Sequence, residues 1–445
     1  MRTDPAKWPR GWMHLPHSPF PIPVTLTLFE DAGVARLAPM TLTRAASDLA
    51  VGGRTLGAAA VAAFPHHRLA LLVRPTVAGV AAEEHPAADV NGAAGGPTLF
   101  VNARWRVEAG DPGTPGRAVR DAVAGAVGTG APRAFVQESA DGPVLLALWH
   151  PSPPDAAPWA LAADVPAEHV AGATLIGRLW DLAADLPARI AADAPDLARD
   201  LGGWGVRGRV EDGAIVTGQV ALDESAVVRA GAVVSGADGP VIVGPGVVVE
   251  ENAVVRGPCV LAAGAVVKAA GRVDGSYVGP GCKVGGEVHA SSLHSHSSKA
   301  HDGYLGNSVL GRWCNLGADT NTSNLRNDYG IVDLWDPVER AYRPSGHQFL
   351  GLVMGDHSKC AINTQFNTGT VVGVFCNLFG AGFHARHVPS FTWGEPGRLL
   401  PYRLSKALAV ADAVLARRGR TVSAAERDLL AQIAADAHAT PATRA

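Results

Sequence analysis

Between Ser298 and Asn324 the chain reads SKAHDGYLGNSVLGRWCNLGADTNTSN, and four of its side chains have the types that acyl transfer to an amine requires. Such a transfer needs a base for the amine proton, donors for the developing oxyanion, and groups that hold both substrates. Histidine suits the first task because its ordinary pKa lies near neutrality. Asparagine and backbone amides can face an oxyanion without adding net charge. His301, Tyr304, Asn315 and Asn324 offer this set between short aliphatic–glycine steps. Taken alone, a loop histidine is more often structural or solvated, so the elements that carry these residues decide.

Those elements repeat every six residues. Val243, Val249, Val255, Leu261 and Val267 keep the spacing without a break, and Val247, Ala253, Cys259 and Ala265, mostly small, follow the first four by four residues. Val228 and Val234 share the register upstream. Val278 and Val284, Leu310 and Leu316, and then Met354, Cys360, Phe366, Val372 and Leu378 resume it downstream. A period of six is neither helical nor a plain alternation. It suits a solenoid with three short flat strands per coil, each giving one large inward residue and a small one at the corner. The four candidate residues then fall within about two coils. Two stretches, Glu287 to Ala300 and Asn324 to Leu350, interrupt the register and are expected as loops, the usual place for function on a rigid scaffold. All five cysteines lie in the repeat, without a CxxC pair, and read as small core residues rather than disulfides or metal ligands. His289, His294, His296 and His301 also allow a metal reading. The spacing from His294 to His296 is poor for it, and no cysteine or carboxylate completes a set.

A chain of 445 residues with 47% apolar content is long enough for two domains. A formal charge of −3 gives no electrostatic footprint for nucleic acid or an anionic membrane, and no apolar run is long enough to span a bilayer. The start is broken by prolines and lacks the apolar core of a signal peptide, so residues 1–22 are expected as a tail and the location as cytoplasmic. From Val24 onward, TLTLF, an Ala-rich helix, RLALLV, a helix-poor stretch, TLFVNARWRV, AVRDAVAGAV and PVLLALW alternate as in an α/β sheet domain over 23–172. Residues 173–205 read as linking helices, 206–386 as the solenoid, and 387–445 as a loop, PSFTWGEPG, followed by terminal helices.

The solenoid segment resembles the acetyltransferase domain of the bifunctional UDP-N-acetylglucosamine diphosphorylase/glucosamine-1-phosphate N-acetyltransferase family. The resemblance rests on Lys299-Ala300-His301, Tyr304-Leu305-Gly306, Asn315-Leu316-Gly317-Ala318 and Asn324, with the spacings from His301 that the family keeps. It extends to Gly355-Asp356-His357-Ser358-Lys359 and to Asn363–Gly373, in the manner of a divergent bacterial branch. It implies His301 as base, Asn324 as an aid in placing the amine, and Tyr304, Asn315, Lys299 and Arg326 as substrate contacts. It further implies the Ala318 amide and Lys359 as contacts of acetyl-CoA, the co-substrate. Lys283, Arg326, Arg343 and Lys359 stand as candidates for the sugar phosphate. The fold implied is a left-handed parallel β-helix that trimerises.

In the first domain, Ala32-Gly33-Val34-Ala35-Arg36-Leu37-Ala38-Pro39-Met40-Thr41-Leu42-Thr43-Arg44 and Val51-Gly52-Gly53-Arg54 resemble the opening of sugar-1-phosphate nucleotidyltransferases. That resemblance implies Gly33, Arg36, Arg44, Arg54 and Asn102 around a nucleotide, with Mg²⁺ if the domain is active; its ligands are unknown. The strand Phe100-Val101-Asn102-Ala103-Arg104 carries no carboxylate where the metal-binding aspartate belongs, and the loop from Gly33 to Arg36 is short. The expected architecture is therefore a nucleotidyltransferase-like, Rossmann-like α/β domain, then a trimeric left-handed hexapeptide β-helix, then C-terminal helices. The expected activity is acetyl-CoA-dependent N-acetylation of an amino-sugar phosphate in nucleotide-sugar synthesis. The alternatives are a sugar-1-phosphate nucleotidyltransferase with a structural β-helix, and a non-catalytic nucleotide-sugar-binding scaffold.

Overall fold

The computed structural model describes residues 23–439 apart from 65, 94 and 109–113; the expected N-terminal tail lies outside the described residues. Thr25–Phe29 is an inner strand of a seven-stranded sheet. Arg68–Leu72 and Asp89–Val90 flank it on one side, and Thr98–Asn102, Gly142–His150, Arg133–Ser139 and Ala167–His169 follow on the other. The first four strands are parallel, and Gly142–His150 runs antiparallel to both its neighbours. Alternate residues face opposite sides of a sheet. Here both sides are buried, Leu26, Leu28, Leu99 and Val101 in one cluster and Phe29, Phe100 and Leu148 in another. The stretch expected to be poor in helix holds one, Pro75–Glu84, opened by a proline whose missing N–H costs a first helical turn nothing. Helix Leu186–Asp200, with Pro187 in its first turn, lays Leu186, Ile190 and Leu197 on Ala221, Ile242 and Val260 of the solenoid.

From Gly205 the chain winds into a parallel β-helix. One face stacks Val254–Arg256, Arg272–Asp274, Glu287–His289 and Tyr304–Gly306 in register. A second stacks Tyr277–Val278, Ser292–Leu293, Val309–Leu310, Val353–Met354 and Val371–Val372. The third stacks Val266–Val267, Lys283–Val284, Ser298–Lys299, Asn315–Leu316, Lys359–Cys360 and Asn377–Leu378. The six-residue aliphatics fill its interior, joined by all five cysteines, which are free and buried. Burial pushes the Cys259, Cys282 and Cys376 thiols up to about 12, so they stay protonated core groups.

Two expectations about the solenoid are corrected. Residues 287–300 are no loop: they form regular strands, with Val288 and Leu293 in the core and Lys299 wholly buried. PSFTWGEPG is also ordered, since Thr392–Glu395 pairs with Asn377–Leu378 on one side and antiparallel with Arg398–Pro401 on the other. The second interruption is a true excursion. It closes at its base by the bridge Leu325–Phe349 and carries the hairpin Asp333–Asp336/Ala341–Pro344. Helices Leu404–Ala416 and Ala424–Ala439 fold back on the solenoid through Trp313, Val374, Phe375 and Phe391, and touch Val77 and Val80 of the first domain.

The two modules share a core. Leu37, Met40, Leu49 and Val51 of the first domain pack on Val309, Val353 and Val371 of the solenoid and on Val332, Leu334 and Trp335 of the excursion.

Candidate functional site

The corner from Ser298–Lys299 to Tyr304–Gly306 presents His301. Its side chain is exposed and has no hydrogen-bond partner among the described residues. The corner directly beneath is short: its strands begin four residues apart, at Lys283 and Glu287, against six at Ser298 and Tyr304. Gly285 and Gly286 make that shortness tolerable. A Cβ on Gly285 would lie 2.6 Å from the Ala300 carbonyl, and one on Gly286 would lie 2.7 Å and 2.9 Å from those of Gly303 and His301. Sequence reading missed this pair, although adjacent glycines inside an aliphatic repeat were its signal.

Three residues on, Tyr304 lies back over Gly306, where a Cβ would come 2.3 Å from the phenol oxygen. Asn324 Nδ2 donates to that oxygen at 3.0 Å and to Asn307 Oδ1 at 2.7 Å. Burial raises the Tyr304 pKa, so the phenol remains a neutral acceptor and donor. Asn307, in a left-handed conformation (φ 45°) after the strand, was not foreseen. It fixes the amide of Asn324 and thereby leaves the Asn324 Oδ1 to face outward partners. Asn315 is exposed and stacks in register on Ser298, one coil above the strand that leads to His301. Ala318 turns the corner above His301, its carbonyl accepting from Asn363 at 2.8 Å, while its amide N–H forms no hydrogen bond among the described residues.

The remaining expected contacts are placed differently. Lys299 is 0% exposed, and its ammonium donates to the carbonyls of Gly285, His301 and Asp302, at 3.3, 2.5 and 2.9 Å, so no donor is left for a substrate. Arg326 is half-buried and held by Asp328 at 2.9 and 2.6 Å. Lys359, two coils above Ser298 on the same face, donates to the His357 carbonyl at 2.9 Å, and burial brings its pKa down to about 8. The four histidines do not gather: His289 pairs with Asp274 at 2.5 Å, and His294 is buried apart.

In the first domain the expected phosphate contacts are committed to carboxylates. Arg44 is fully buried against Asp356 of the solenoid, whose second oxygen accepts from Thr43 at 2.7 Å. Arg36 reaches Asp336 at 2.7 Å and Glu339 at 3.0 Å on the excursion hairpin. Arg54 lies 3.8 Å from Asp200. Asn102 donates to Asp31 at 2.8 Å. A Cβ on Gly33 would meet the Arg104 guanidinium at 2.4 Å. Asp31, the carboxylate nearest the strand end, is gripped by Arg104 through two bonds of 2.6 Å. Burial alone would raise its pKa, but Arg104 and Asn102 prevail and lower it. A carboxylate neutralised by a guanidinium is not a Mg²⁺ ligand, so the strand-end residues do not fit the metal. Asp48, Glu84 and His85 approach one another, yet Asp48 is bonded to His85 at 2.8 Å and Glu84 to Arg312.

Comparison with known proteins agrees with this division. Residues 26–200 match the family model described as sugar nucleotidyl transferase. The bifunctional protein GlmU of Methanocaldococcus jannaschii is 33% identical over 24% of this chain and 26% of its own length. Its counterpart in Methanococcus maripaludis is 32% identical over 20% of each. The chain thus spans about a quarter or less of the length of these curated relatives. Solved structures of UDP-N-acetylglucosamine acyltransferases match at low scores. That from Francisella novicida shares 12% identity over 48% of this chain and 74% of its own, TM-score 0.26. That from Campylobacter jejuni shares 13% over 50% and 95%, TM-score 0.19. The first match thus falls on the α/β module, which is similar to sugar nucleotidyl transferases, and the β-helix follows it in the chain.

Proposed function

We propose that this protein is an acetyl-CoA-dependent N-acetyltransferase of an amino-sugar phosphate, working at the His301 corner as a cytoplasmic homotrimer. The observation that carries the reading is the Tyr304–Asn324–Asn307 network beside an exposed His301, with the free Ala318 amide and exposed Asn315 one coil above. A scaffold needs the six-residue register but not that polar group. On this reading the His301 ring takes the proton from the sugar amine as it attacks the thioester carbonyl. Asn324 Oδ1 orients the amine, the Ala318 N–H faces the oxyanion that forms, and collapse of the tetrahedral intermediate expels the CoA thiol. Tyr304 and Asn315 hold the sugar. Acetyl-CoA supplies the acyl group, and no metal step is needed.

The test is thiol release from acetyl-CoA with glucosamine-1-phosphate as acceptor, beside His301→Ala. A positioned general base contributes about a hundred- to ten-thousand-fold, so the variant should lose about 3–5 kcal/mol of transition-state stabilisation and keep its oligomeric state. Near-wild-type turnover in that variant removes the assignment. The match over residues 26–200 favours a second reading, a uridylyl- or thymidylyltransferase. Pyrophosphate release from UTP or dTTP with a sugar-1-phosphate would establish it, against the geometry of Arg36, Arg44 and Asp31.

A further inference from the structure

Along its third face the solenoid interior is aliphatic or thiol at Val249, Val267, Val284, Leu316, Cys360 and Leu378, and an ammonium at Lys299. Burying a cation is costly unless every proton finds an acceptor. Lys299 has no carboxylate partner among the described residues, and its three protons meet three backbone carbonyls instead. Two of these belong to the corner that presents His301, and the third to the short corner beneath it.

The neighbouring corners explain why a cation stands here. In the two coils above, the sixth residue counted from the start of the strand is a threonine whose hydroxyl closes the corner from within. Thr320 Oγ1 donates to the Gly317 carbonyl at 2.7 Å, and Thr364 Oγ1 to that of Ala361 at 2.8 Å. The same place in the His301 corner is Gly303, with φ +105°, where a Cβ would lie 2.2 Å from the Thr320 carbonyl. No threonine fits, and the left-handed residue comes one place later than Asp319 and Asn363 in the corners above. The altered corner turns the His301 carbonyl inward, and among the described residues only Lys299 donates to it.

Resting on His301 as the base, we propose that Lys299 is a positioning residue for acyl transfer: from inside the coil its ammonium ties the His301–Asp302 backbone to Gly285, and so fixes where the imidazole stands over the site. An aliphatic residue would fill the space and leave three buried carbonyls bare; an amide could serve two of them.

The test compares wild type, Lys299→Met, Lys299→Gln and His301→Ala in the thiol-release assay with glucosamine-1-phosphate. For Lys299→Met, kcat should fall about ten- to a hundredfold, the cost of a misplaced catalytic group. KM for both substrates should stay within about twofold, and the oligomeric state should not change. Lys299→Gln should fall between it and wild type. Equal kcat in wild type and a folded Lys299→Met, with His301→Ala dead, overturns the positioning role and leaves the base standing. An active His301→Ala overturns the base itself. If Lys299→Met does not fold, Lys299→Gln decides, and unchanged kcat in that variant counts against the proposal. The pH profile separates positioning from general stability. Burial brings the Lys299 pKa down to about 8, against the opposing charges of Asp302 and Asp319. Wild-type kcat should therefore decline above about pH 8 with a limb that Lys299→Met lacks. The folded pKa lies below the unfolded value, so this group's contribution to stability rises between about 8 and 10.5, and the decline cannot be its unfolding.

Discussion

At the residue scale the candidate site was readable wherever a side chain points out of the coil. His301, Tyr304, Asn315 and Asn324 could be brought together from their numbers because a six-residue register places them on successive turns, and the structure stacks Asn315 on Ser298 accordingly. Lys299 was misread for the same reason: a lysine was taken for a surface group, while the register itself puts it on Val284 and inside. Asn307 gave no signal, since its role depends on a left-handed backbone and on the amide of Asn324. The pair Tyr304–Asn324 carries its own prediction. Tyr304→Phe removes the oxygen that accepts from Asn324 Nδ2 and leaves Asn307 as the amide's remaining partner. A neutral hydrogen bond contributes about 0.5–1.5 kcal/mol net, so kcat/KM for the sugar should fall roughly two- to tenfold. KM for acetyl-CoA should be untouched. A change confined to the thioester would move Tyr304 to the other substrate.

At the scale of elements, periodicity made the solenoid legible and also explains where it was lost. The register disappears from view over 287–300 because the corner at Gly285–Gly286 is two residues short and the inward place after Val288 and Leu293 is held by a lysine, not an aliphatic. The helix Pro75–Glu84 was hidden by small residues, which give little apolar contrast between its faces. The hairpin after Phe391 was hidden by glycine and proline, which serve turns and strand edges alike. The short corner is also the place to test the element as a whole. Gly286 has φ +64°, and a Cβ there would press on the carbonyls of Gly303 and His301. Gly286→Ala should cost about 1–3 kcal/mol of stability, seen as a lower Tm. It should depress kcat beyond what the lost folded fraction explains, because the strain falls on the His301 corner. Gly264→Ala, at φ +67° in a corner away from the site, controls for strain alone. Equal kcat in both variants would mean that the corner absorbs the methyl without moving His301.

At the scale of the molecule, the first domain has a mostly parallel α/β sheet but spends Arg36 and Arg44 of its opening loops on the second module. Residues 37–53, which follow the loop resembling a phosphate cradle, are nearly all buried at the junction. The α/β outline was legible because strands and helices alternate. The junction was not, because Arg44 and Asp356 stand 312 residues apart and neither sequence context announces the other. Asp356 is the centre of the contact, accepting from Arg44, Thr43 and the Arg312 backbone N–H at 2.7 Å. Burial would raise its pKa, but Arg44 and Arg312 outweigh it and bring the carboxyl down to about 2. A folded pKa below the unfolded value gives stability that is present above about pH 4 and lost as pH falls through about 2, an amount near 2 kcal/mol for this group. Asp356→Ala leaves the Arg44 guanidinium buried without its counter-ion and should cost about 3–5 kcal/mol at neutral pH. Arg44→Met with Asp356→Leu removes both charges and should recover most of that loss. Thermal unfolding of the single and double variants measures the coupling. If the single variants lose no more than the double, the pair does not join the modules, and the apolar contact of Leu37, Met40 and Val51 must hold them alone.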